Sequence, residues 1–531
     1  SAIHSRGVVF NDLHTFNVIV RPDETVALID FETAARVEEG RRPAMGAPGF
    51  QAPRDRTGFA IDRYSLACLR LAMFMPLTEL IPLDRTKAAQ IAETIAELFG
   101  VDRGFLAEAV QEIAGPEPGM AWGSGPGPRL ELRPDGAGWE RTREALTRAI
   151  LASATPDRSD RLFPGDIRQF APGGGLNLAY GAAGVLHALS VTGAGRFPEY
   201  EEWLLGRVGQ PVEGMPLGLY DGLLGVAHVL EDLGHRDATL GIAEAVLGGR
   251  WERLGSDLAG GLAGIALVFA HLAEVTGETA FRDAALRAAD IVAMRVQAGA
   301  FEGSGAEAVR VAGLMQGASG PALMFIRLYE LTGDTGYLDH AAATLRIDLD
   351  RCIFDQHGAL QADEGQRILP YLAHGSAGVG SVLDDYLLYR DDERFTQAAR
   401  GAARAACSPY YALSGLFAGR SGLIAYLSRK HAPGGAVNDP HIATHVRRLA
   451  WHAVSYGGGL AFPSDRLSRL SMDLATGTAG VLLALGAAFC THPVHLPFLG
   501  PLTGLPRTTS SACNSATEGG EFTWSFSTSR V

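Results

Sequence analysis

The sequence predicts a mainly α protein in which a short mixed segment precedes a ring of helix pairs. Three observations predict this fold class: a G-x-x-G signature that occurs seven times, an apolar run after each copy, and an amphipathic helical pattern after each run. Self-similarity at a regular interval is typical of repeat architectures. The first glycines of the copies are Gly181, Gly222, Gly261, Gly317, Gly375, Gly419 and Gly477.

Each repeat combines two kinds of helix. The run after the second glycine is apolar on nearly all sides, as at 265–275, whereas the pattern that follows is striped, as at 281–289. An evenly apolar helix suits an inner layer and a striped helix an outer one. Glycines at i and i+3 share a helix face, so neighbouring inner helices can approach closely there. Seven such hairpins predict an α/α toroid over residues 139–506, with the glycine-bearing helix starts gathered at one end.

Composition and charge exclude several classes of protein. The 531-residue chain has a net charge of −13 and a pI near 5.6, so it lacks the basic footprint of a nucleic-acid-binding protein. Its five cysteines form no C-x-x-C pair, which indicates a reducing compartment and a cytoplasmic protein. No apolar run reaches the ~20 residues of a membrane helix. Because the chain starts with neither Met nor a signal peptide, we expect a fragment whose N-terminus lies upstream.

The N-terminal segment contains a predicted β-hairpin with polar residues at its open end. Two apolar runs, 18–20 and 26–29, flank a turn that contains Pro and Asp. Asn17 precedes one strand and Asp30 follows the other, so we expect them to lie close together, with Asp12 on the loop just before. Two carboxylates and a carboxamide suit Mg²⁺ that carries nucleotide phosphates.

These residues resemble the catalytic core of protein kinases. Asp12-x-x-x-x-Asn17 resembles the catalytic loop, and Asp30-Phe31-Glu32 resembles the D-F-G motif. The resemblance implies that Asp12 is the catalytic base and that Asn17 and Asp30 hold Mg with ATP or another NTP. Ala52-Pro53 resembles the A-P-E motif, and Asp62 begins a pattern like the helix that supports the catalytic loop. The alternative is a chance hairpin with surface carboxylates, but four motifs occur here in kinase order.

The segment also departs from the kinase pattern. Asn11 stands where an Arg usually precedes the catalytic Asp, and Glu32 replaces the Gly of D-F-G. The Gly-rich loop, the phosphate-binding Lys and its Glu partner belong to an N-terminal lobe that this sequence lacks. Residues 1–115 are therefore expected to form a partial kinase C-lobe, from the catalytic loop onward, that transfers phosphate poorly or not at all by itself.

Two segments are predicted to lack a packed core. Residues 116–138 hold the densest Gly and Pro content of the chain and read as a flexible linker. Residues 507–531 are rich in Ser, Thr and Gly without helical periodicity, so we expect a disordered tail.

A seven-repeat toroid with these glycine signatures resembles the cyclase domain of lanthionine synthetases. A kinase followed directly by such a toroid resembles the class III enzymes, of labyrinthopeptin type, and the class IV enzymes. The resemblance implies phosphorylation of Ser and Thr in a ribosomal precursor peptide, elimination of the phosphate, and addition of Cys thiols to form lanthionine, methyllanthionine or labionin rings. In complete members an N-terminal lyase precedes the kinase, so we expect a lyase and a kinase N-lobe upstream.

The metal positions of this family favour class III. Cyclases of other classes bind a catalytic zinc through the Cys of a C-Y-G-x-x-G copy and the Cys-His pair of a C-H-G-x-x-G copy. The corresponding residues here are Ala373, Phe417 and Ala418, which have no zinc-binding atom. The resemblance therefore implies a zinc-independent cyclase.

His374 is the candidate acid/base for thiol addition. It lies directly before Gly375, and an imidazole titrates near neutrality. The alternative is a histidine that caps a helix start. Two other histidines, His187 and His228, lie three residues past their second glycines on apolar faces and are interpreted as packed core residues. The polar residues at places comparable to His374 in other copies are Tyr180, Asp221, Gln316 and Arg420.

Two other functions remain open. The departures at Asn11 and Glu32 and the missing zinc ligands allow a pseudokinase–toroid scaffold that binds a peptide or partner without catalysis. An α/α-toroid glycoside hydrolase would need paired carboxylates at the cavity mouth. Asp221, Asp257 and Asp473 are available for that role, but the kinase-like segment argues against it.

Overall fold

The computed structural model describes residues 2–115, 132–133, 135–209, 214–299, 311–365, 367–409 and 411–502. The predicted tail and most of the predicted linker lie outside these residues. The described part contains seventeen α-helices and ten short strands, so the prediction of a mainly α protein is confirmed. None of its helices has the length and apolar character needed to cross a membrane.

The chain divides into two compact units. The first contains residues 1–131 with the short segments 450–455 and 466–470, and the second contains the remainder. The partial kinase C-lobe predicted for residues 1–115 and the cyclase domain predicted for residues 139–506 stay predictions.

The described residues 2–115 of the first unit form two antiparallel strand pairs and three α-helices. Strand β2 pairs with β3, with Val18 opposite Leu28, so the predicted hairpin is confirmed. Strand β1 pairs with β4. Helix α3 packs against both α1 and α2. The elements are β1 (Val8–Val9), β2 (Val18–Val20), β3 (Val26–Leu28), β4 (Ala35–Arg36), α1 (Phe59–Ala72), α2 (Lys87–Phe99) and α3 (Arg103–Ala114).

The second unit contains seven inner helices that follow the glycine signatures. Each one begins directly after the first glycine of its copy, except the helix at Ser319, which begins two residues after Gly317. Each packs against the next, and the last packs against the first, so the circuit of inner helices is closed. They are α5 (Ala182–Val191), α7 (Leu223–Asp232), α9 (Leu262–Thr276), α11 (Ser319–Thr332), α13 (Ser376–Tyr386), α15 (Arg420–Ser428) and α17 (Thr478–Phe489).

Seven outer helices pack against the inner ones. Each follows its inner partner along the chain, except that α4, the first helix of the unit, packs against α17. The outer helices are α4 (Gly136–Ala152), α6 (Pro198–Val208), α8 (Arg236–Leu247), α10 (Thr279–Gln297), α12 (Gly336–Leu349), α14 (Glu393–Cys407) and α16 (Pro440–Leu449).

Short strands, which the sequence did not predict, interrupt the later repeats. Strands β5, β6 and β7 form a small antiparallel sheet between α12 and α13. Strands β8, β9 and β10 lie where the chain passes between its two units. Their bounds are β5 (Cys352–Phe354), β6 (Leu360–Asp363), β7 (Ile368–Leu369), β8 (Val454–Tyr456), β9 (Gly459–Pro463) and β10 (Leu470–Ser471).

A steric requirement explains the second glycine of every copy. A Cβ built there would lie 1.6–2.6 Å from the carbonyl oxygen of the residue six positions earlier, and it would also press on the corresponding residue of the preceding copy. Only glycine permits so close an approach of helix and loop. The residue six positions earlier is leucine in all seven copies: Leu178, Leu219, Leu258, Leu314, Leu372, Leu416 and Leu474.

Candidate functional site

The loops before the inner helices are joined by a closed circle of backbone hydrogen bonds. In each copy the residue two positions before the first glycine donates its N–H to the carbonyl of the matching residue in the next copy, over 2.8–3.1 Å. The last member donates back to the first. These hydrogen bonds also hold the residue that follows each member in the sequence, at one end of the inner helices. The members are Ala179, Tyr220, Ala259, Met315, Ala373, Phe417 and Ala475.

Two of the residues at the family's zinc positions are neighbours in this circle. The N–H of Ala373 donates to the carbonyl of Phe417 over 2.9 Å, and Ala418 follows. The ring of Phe417 packs edge-on against that of Tyr220, with 5.5 Å between centroids. The side chain at position 417 therefore makes an aromatic contact and offers no metal-binding atom. The zinc independence of the cyclase stays a prediction.

His374 is held in a defined protonation state by its surroundings. Its Nε2 donates to the side-chain carbonyl of Gln316 in the preceding copy, which leaves Nδ1 as the unprotonated nitrogen of a neutral ring. Burial, with a smaller contribution from the positive charge of Arg168, lowers the pKa of His374 below its usual 6.5. The ring is therefore neutral at physiological pH and can accept a proton.

Arg168, in the loop before the first copy, contacts the next candidate residue. Its guanidinium donates to the Tyr180 hydroxyl and lies over the tyrosine ring, 5.2 Å from the centroid. Burial raises the pKa of Tyr180 to about 12, although the charge of Arg168 opposes the change. The phenol therefore stays protonated, and it offers a neutral O–H beside a permanent positive charge.

Two half-buried carboxyl groups have pKa values near neutrality. Burial, with a smaller contribution from Asp473 and Asp166, raises the pKa of Asp465 to about 7 despite the charge of Arg168. Burial and the nearby Asp257 raise the pKa of Asp221 to about 7. Each group has a buried Oδ1 without a hydrogen-bond partner among the described residues. Such groups can donate or accept a proton at neutral pH, which is typical of functional sites.

Sequence reasoning missed Arg168 and Asp465. The charge of Arg168 affects the pKa of Tyr180, His374 and Asp465, so one cation links the three groups electrostatically. Neither Arg168 nor Asp465 lies in a glycine copy, and no local pattern marks them.

Arg420, which the sequence singled out, has a different role. It is fully buried, and its guanidinium donates to the carbonyls of Pro409 and Tyr411 and contacts Nδ1 of His445. These bonds hold the loop before α15. The guanidinium group of Arg420 therefore points into the packed interior.

Two of the three carboxylates available to a glycoside hydrolase accept hydrogen bonds from loop backbone. Asp473 is buried and accepts hydrogen bonds from the N–H groups of Asp166 and Thr476, both at 2.7 Å. Asp257 accepts from the N–H of Gly260 at 2.9 Å. Asp473 and Asp257 therefore serve as acceptors for loop backbone, whereas Asp221 keeps a buried Oδ1 without a hydrogen-bond partner among the described residues.

In the first unit a single carboxylate holds the predicted catalytic loop. Asp62 of α1 is buried and accepts from the N–H groups of Phe10 and Asn11 at 2.7 and 2.8 Å. Nε2 of His4 lies 2.8 Å from the same carboxylate. The loop that carries Asp12 is thus fixed to α1.

The structure brings Asp12 and Asn17 together. Nδ2 of Asn17 donates to the carbonyl and to Oδ2 of Asp12, at 3.0 and 3.2 Å. The N–H of Ile29 donates to the carbonyl of Asn17 at 3.1 Å, so Asp30 follows directly on the strand partner of Asn17. With Nδ2 engaged, the amide oxygen of Asn17 and the exposed carboxylate of Asp30 remain for a cation. This donor set fits Mg²⁺.

The backbone at this site is unusual. Asn11 and Asp30 have φ values of 67° and 64°, in the left-handed region that few non-glycine residues adopt. Such conformations concentrate at functional sites. The ring of Phe10 packs edge-on against Phe31 with 5.0 Å between centroids, which ties the catalytic loop to the segment after the hairpin.

A small surface depression lies beside Asp12. Its wall combines Asp12 with apolar residues of the following segment. The residues that line it include Asp12, Leu13, Pro43, Ala47, Phe50 and Ile61.

Comparison with known proteins gives one similar sequence and several distant folds. No protein-family model matches the chain. The chain is 47% identical over 532 residues to a probable SapB synthase of Streptomyces coelicolor, and the match covers 94% of this chain and 57% of that protein. The chain therefore spans little more than half the length of this relative.

Similar solved structures include two carbohydrate-active enzymes. A mutant unsaturated glucuronyl hydrolase of Streptococcus agalactiae is 12% identical, with a TM-score of 0.33 over 51% of this chain and 80% of that chain. A variant α-1,6-mannanase of Salegentibacter sp. HEL1_6 is 15% identical, with a TM-score of 0.35 over 66% of this chain and 99% of that chain. At these TM-scores the likeness carries no argument about function.

Proposed function

We propose that this chain is part of a class III lanthipeptide synthetase, with a partial kinase C-lobe at 1–115 and a cyclase at 139–506. The observation that carries the proposal is the presence in one chain of a carboxylate–amide loop suited to phosphoryl transfer and a glycine-loop circle with acid/base groups. The identity to a protein named as a synthase supports it. Because the proposed reactions use ATP and a ribosomal precursor peptide, we place the protein in the cytoplasm.

In the proposed phosphorylation, Asp12 accepts the proton of a Ser or Thr hydroxyl as the hydroxyl oxygen attacks the γ-phosphorus. The amide oxygen of Asn17 and the carboxylate of Asp30 would hold Mg²⁺, which neutralises charge on the transferred phosphate. The amide of Asn17 also orients Asp12 through the 3.2 Å bond to its carboxylate. Positioning of this kind accounts for much of the catalysis of phosphoryl transfer.

In the proposed cyclisation, a Cys thiol gives its proton to Nδ1 of His374. The thiolate sulfur then attacks the β-carbon of a dehydroamino acid, and negative charge develops on the carbonyl oxygen of that residue. The cation of Arg168 and the O–H of Tyr180 stabilise that oxygen. Protonated Asp465 supplies the proton that the α-carbon needs. His374 and Asp465 thus act as base and acid, without zinc at Ala373, Phe417 or Ala418.

The test uses the intact enzyme from its native gene, with Mg²⁺, a panel of NTPs and the precursor peptide encoded beside that gene. We expect mass spectra of the peptide to show phosphate gain and then loss of water. Asp12→Asn should abolish the phosphate gain, while Asp23→Asn, in the exposed turn of the same hairpin, should not. Failure of the unaltered enzyme to produce either change contradicts the proposal.

A catalytically inactive scaffold is the second candidate, because Asn11 and Glu32 depart from the kinase pattern. A scaffold would bind the precursor peptide equally well as wild type, Asp12→Asn and Asp30→Asn, and none of the three would alter the peptide's mass. Calorimetric titration of the peptide together with the mass spectra separates the two candidates.

A further inference from the structure

A second cluster of ionisable side chains lies within the inner helices, away from the glycine loops. His228 and Asp232 of α7 and His271 of α9 each offer one ligand atom, and these three atoms lie within 4.8 Å of one another. Oδ2 of Asp232 is 3.8 Å from Nε2 of His228 and 3.6 Å from Nδ1 of His187 on α5. Three consecutive inner helices therefore place imidazoles around one carboxylate.

The distances suit a shared ion better than hydrogen bonds. At 3.6–3.8 Å the nitrogen and oxygen atoms are too far apart for a hydrogen bond. Two ligands bound at ~2.0–2.1 Å in a tetrahedral site are separated by ~3.3 Å, so small ring movements would bring these atoms onto one metal ion.

Two of the histidines, His187 and His228, have buried nitrogens without a hydrogen-bond partner in the part of the chain that the structure describes. His187 and His228 are 5% and 7% exposed, and neither ring nitrogen of His187 nor Nδ1 of His228 has a hydrogen-bond partner among the described residues. Buried polar atoms without partners are costly, so their presence requires an explanation.

Neighbouring residues cover and support the cluster. The ring of Phe498 lies 5.1 Å from that of His228 and 6.2 Å from that of His271, centroid to centroid. The carbonyl of Phe498 accepts a hydrogen bond from Nε of Arg327 at 3.1 Å, which fixes the covering segment. Oε2 of Glu231 lies 3.2 Å from Nε2 of His271 and can orient this ring when it binds through Nδ1.

We propose that His228, Asp232 and His271 bind one zinc ion and that His187 supplies the fourth ligand. Imidazole nitrogens with one carboxylate oxygen form a ligand set that zinc accepts in tetrahedral geometry. Four protein ligands leave no open position, so the ion is structural and ties α5, α7 and α9 together. The site is separate from Ala373, Phe417 and Ala418, and it leaves the proposed zinc-independent cyclisation unchanged.

The test measures metal content and does not depend on activity. The purified chain is dialysed after growth with added zinc, and bound zinc is counted by plasma mass spectrometry. We expect about one zinc per chain and tetrahedral visible absorption bands after replacement by Co²⁺. Asp232→Asn and His228→Ala should lose the zinc. His340→Ala, on α12 against the ring of Phe325, is the matched histidine control and should keep it.

Two results would overturn the zinc site. One is a wild-type chain that holds no zinc and whose Tm does not rise when Zn²⁺ is added. The other is unchanged zinc content in a folded Asp232→Asn chain, because this near-isosteric change affects a side chain that is 35% exposed. Circular dichroism establishes that each variant is folded. Glu231→Gln should weaken zinc binding by roughly 10–100-fold, as loss of a supporting carboxylate does.

Discussion

The two candidate sites hold their loops in different ways. In the first unit one buried carboxylate, that of Asp62, binds two backbone N–H groups of the predicted catalytic loop. In the second unit seven backbone hydrogen bonds, one from each copy, form a closed circle. The candidate residues Tyr180 and His374 each come directly after a member of this circle in the sequence. A loop that depends on one side chain is lost with that side chain. The circle depends instead on the close approach of each inner helix to the loop before it. Any atom added at the second glycine of a copy would prevent this approach.

The largest expected effect is on the circle. Gly225→Ala places a Cβ 1.6 Å from the carbonyl oxygen of Leu219, so loop and helix must separate. We expect the free energy of unfolding to fall by about 4 kcal/mol or more, measured by urea denaturation.

The matched control for that change is Gly241→Ala. Gly241 lies in α8, and a Cβ there would meet no atom within 4 Å. Because alanine favours helix over glycine, this variant should be more stable than wild type by about 0.5–1 kcal/mol. Equal stability of the two alanine variants would show that the glycines are not required by packing.

A smaller effect is expected from the single carboxylate of the first unit. Asp62→Ala leaves the N–H groups of Phe10 and Asn11 without their acceptor, which should cost about 2–3 kcal/mol. Hydrogen exchange at these two amides should accelerate, whereas amides of the ring helices should be unaffected. Unchanged protection of Phe10 and Asn11 would mean that Asp62 does not hold the loop.

The smallest effect is a gain in stability that depends on pH. The folded-state pKa of Asp221 is about 7, above the usual 3.8, so the folded chain binds this proton more tightly than the unfolded chain. Stability contributed by this group is therefore present below about pH 4 and is lost as the pH rises to about 7. Asp221→Asn should raise stability by about 1 kcal/mol near pH 8, a fraction of the roughly 4 kcal/mol of the full shift because solvent reaches this half-buried carboxyl, and leave it unchanged near pH 4.

Urea denaturation at both pH values checks this result. Asp283→Asn, an exposed change on α10, serves as the control for loss of one negative charge. A gain of equal size at both pH values would assign the effect to something other than the Asp221 proton.

Local patterns predicted the features that depend on near neighbours in sequence. The hairpin followed from two apolar runs around a turn, and its pairing placed Asp30 next to the strand partner of Asn17. The seven glycine copies marked the starts of the inner helices. Both are properties of short segments, and short segments carry their own signals.

Features that depend on the closed circuit could not be predicted. Arg168 and Asp465 lie outside every copy, and only folding brings the charge of Arg168 near His374. His187 and His228 were interpreted as packed core residues, and both are buried. Their shared neighbour Asp232 became visible only in the structure, because the relative rotation of adjacent helices decides which residues meet.

The most direct test of the proposed function follows thiols on a peptide. The chain is incubated with its precursor peptide after Ser and Thr residues have been dehydrated separately, and free thiols are then alkylated and counted by mass spectrometry. We expect the wild-type chain to protect the thiols, and His374→Ala and Asp465→Asn to do so roughly 10²–10⁴-fold more slowly. Thiols that stay open to alkylation at the rate seen without the chain would contradict a cyclase function.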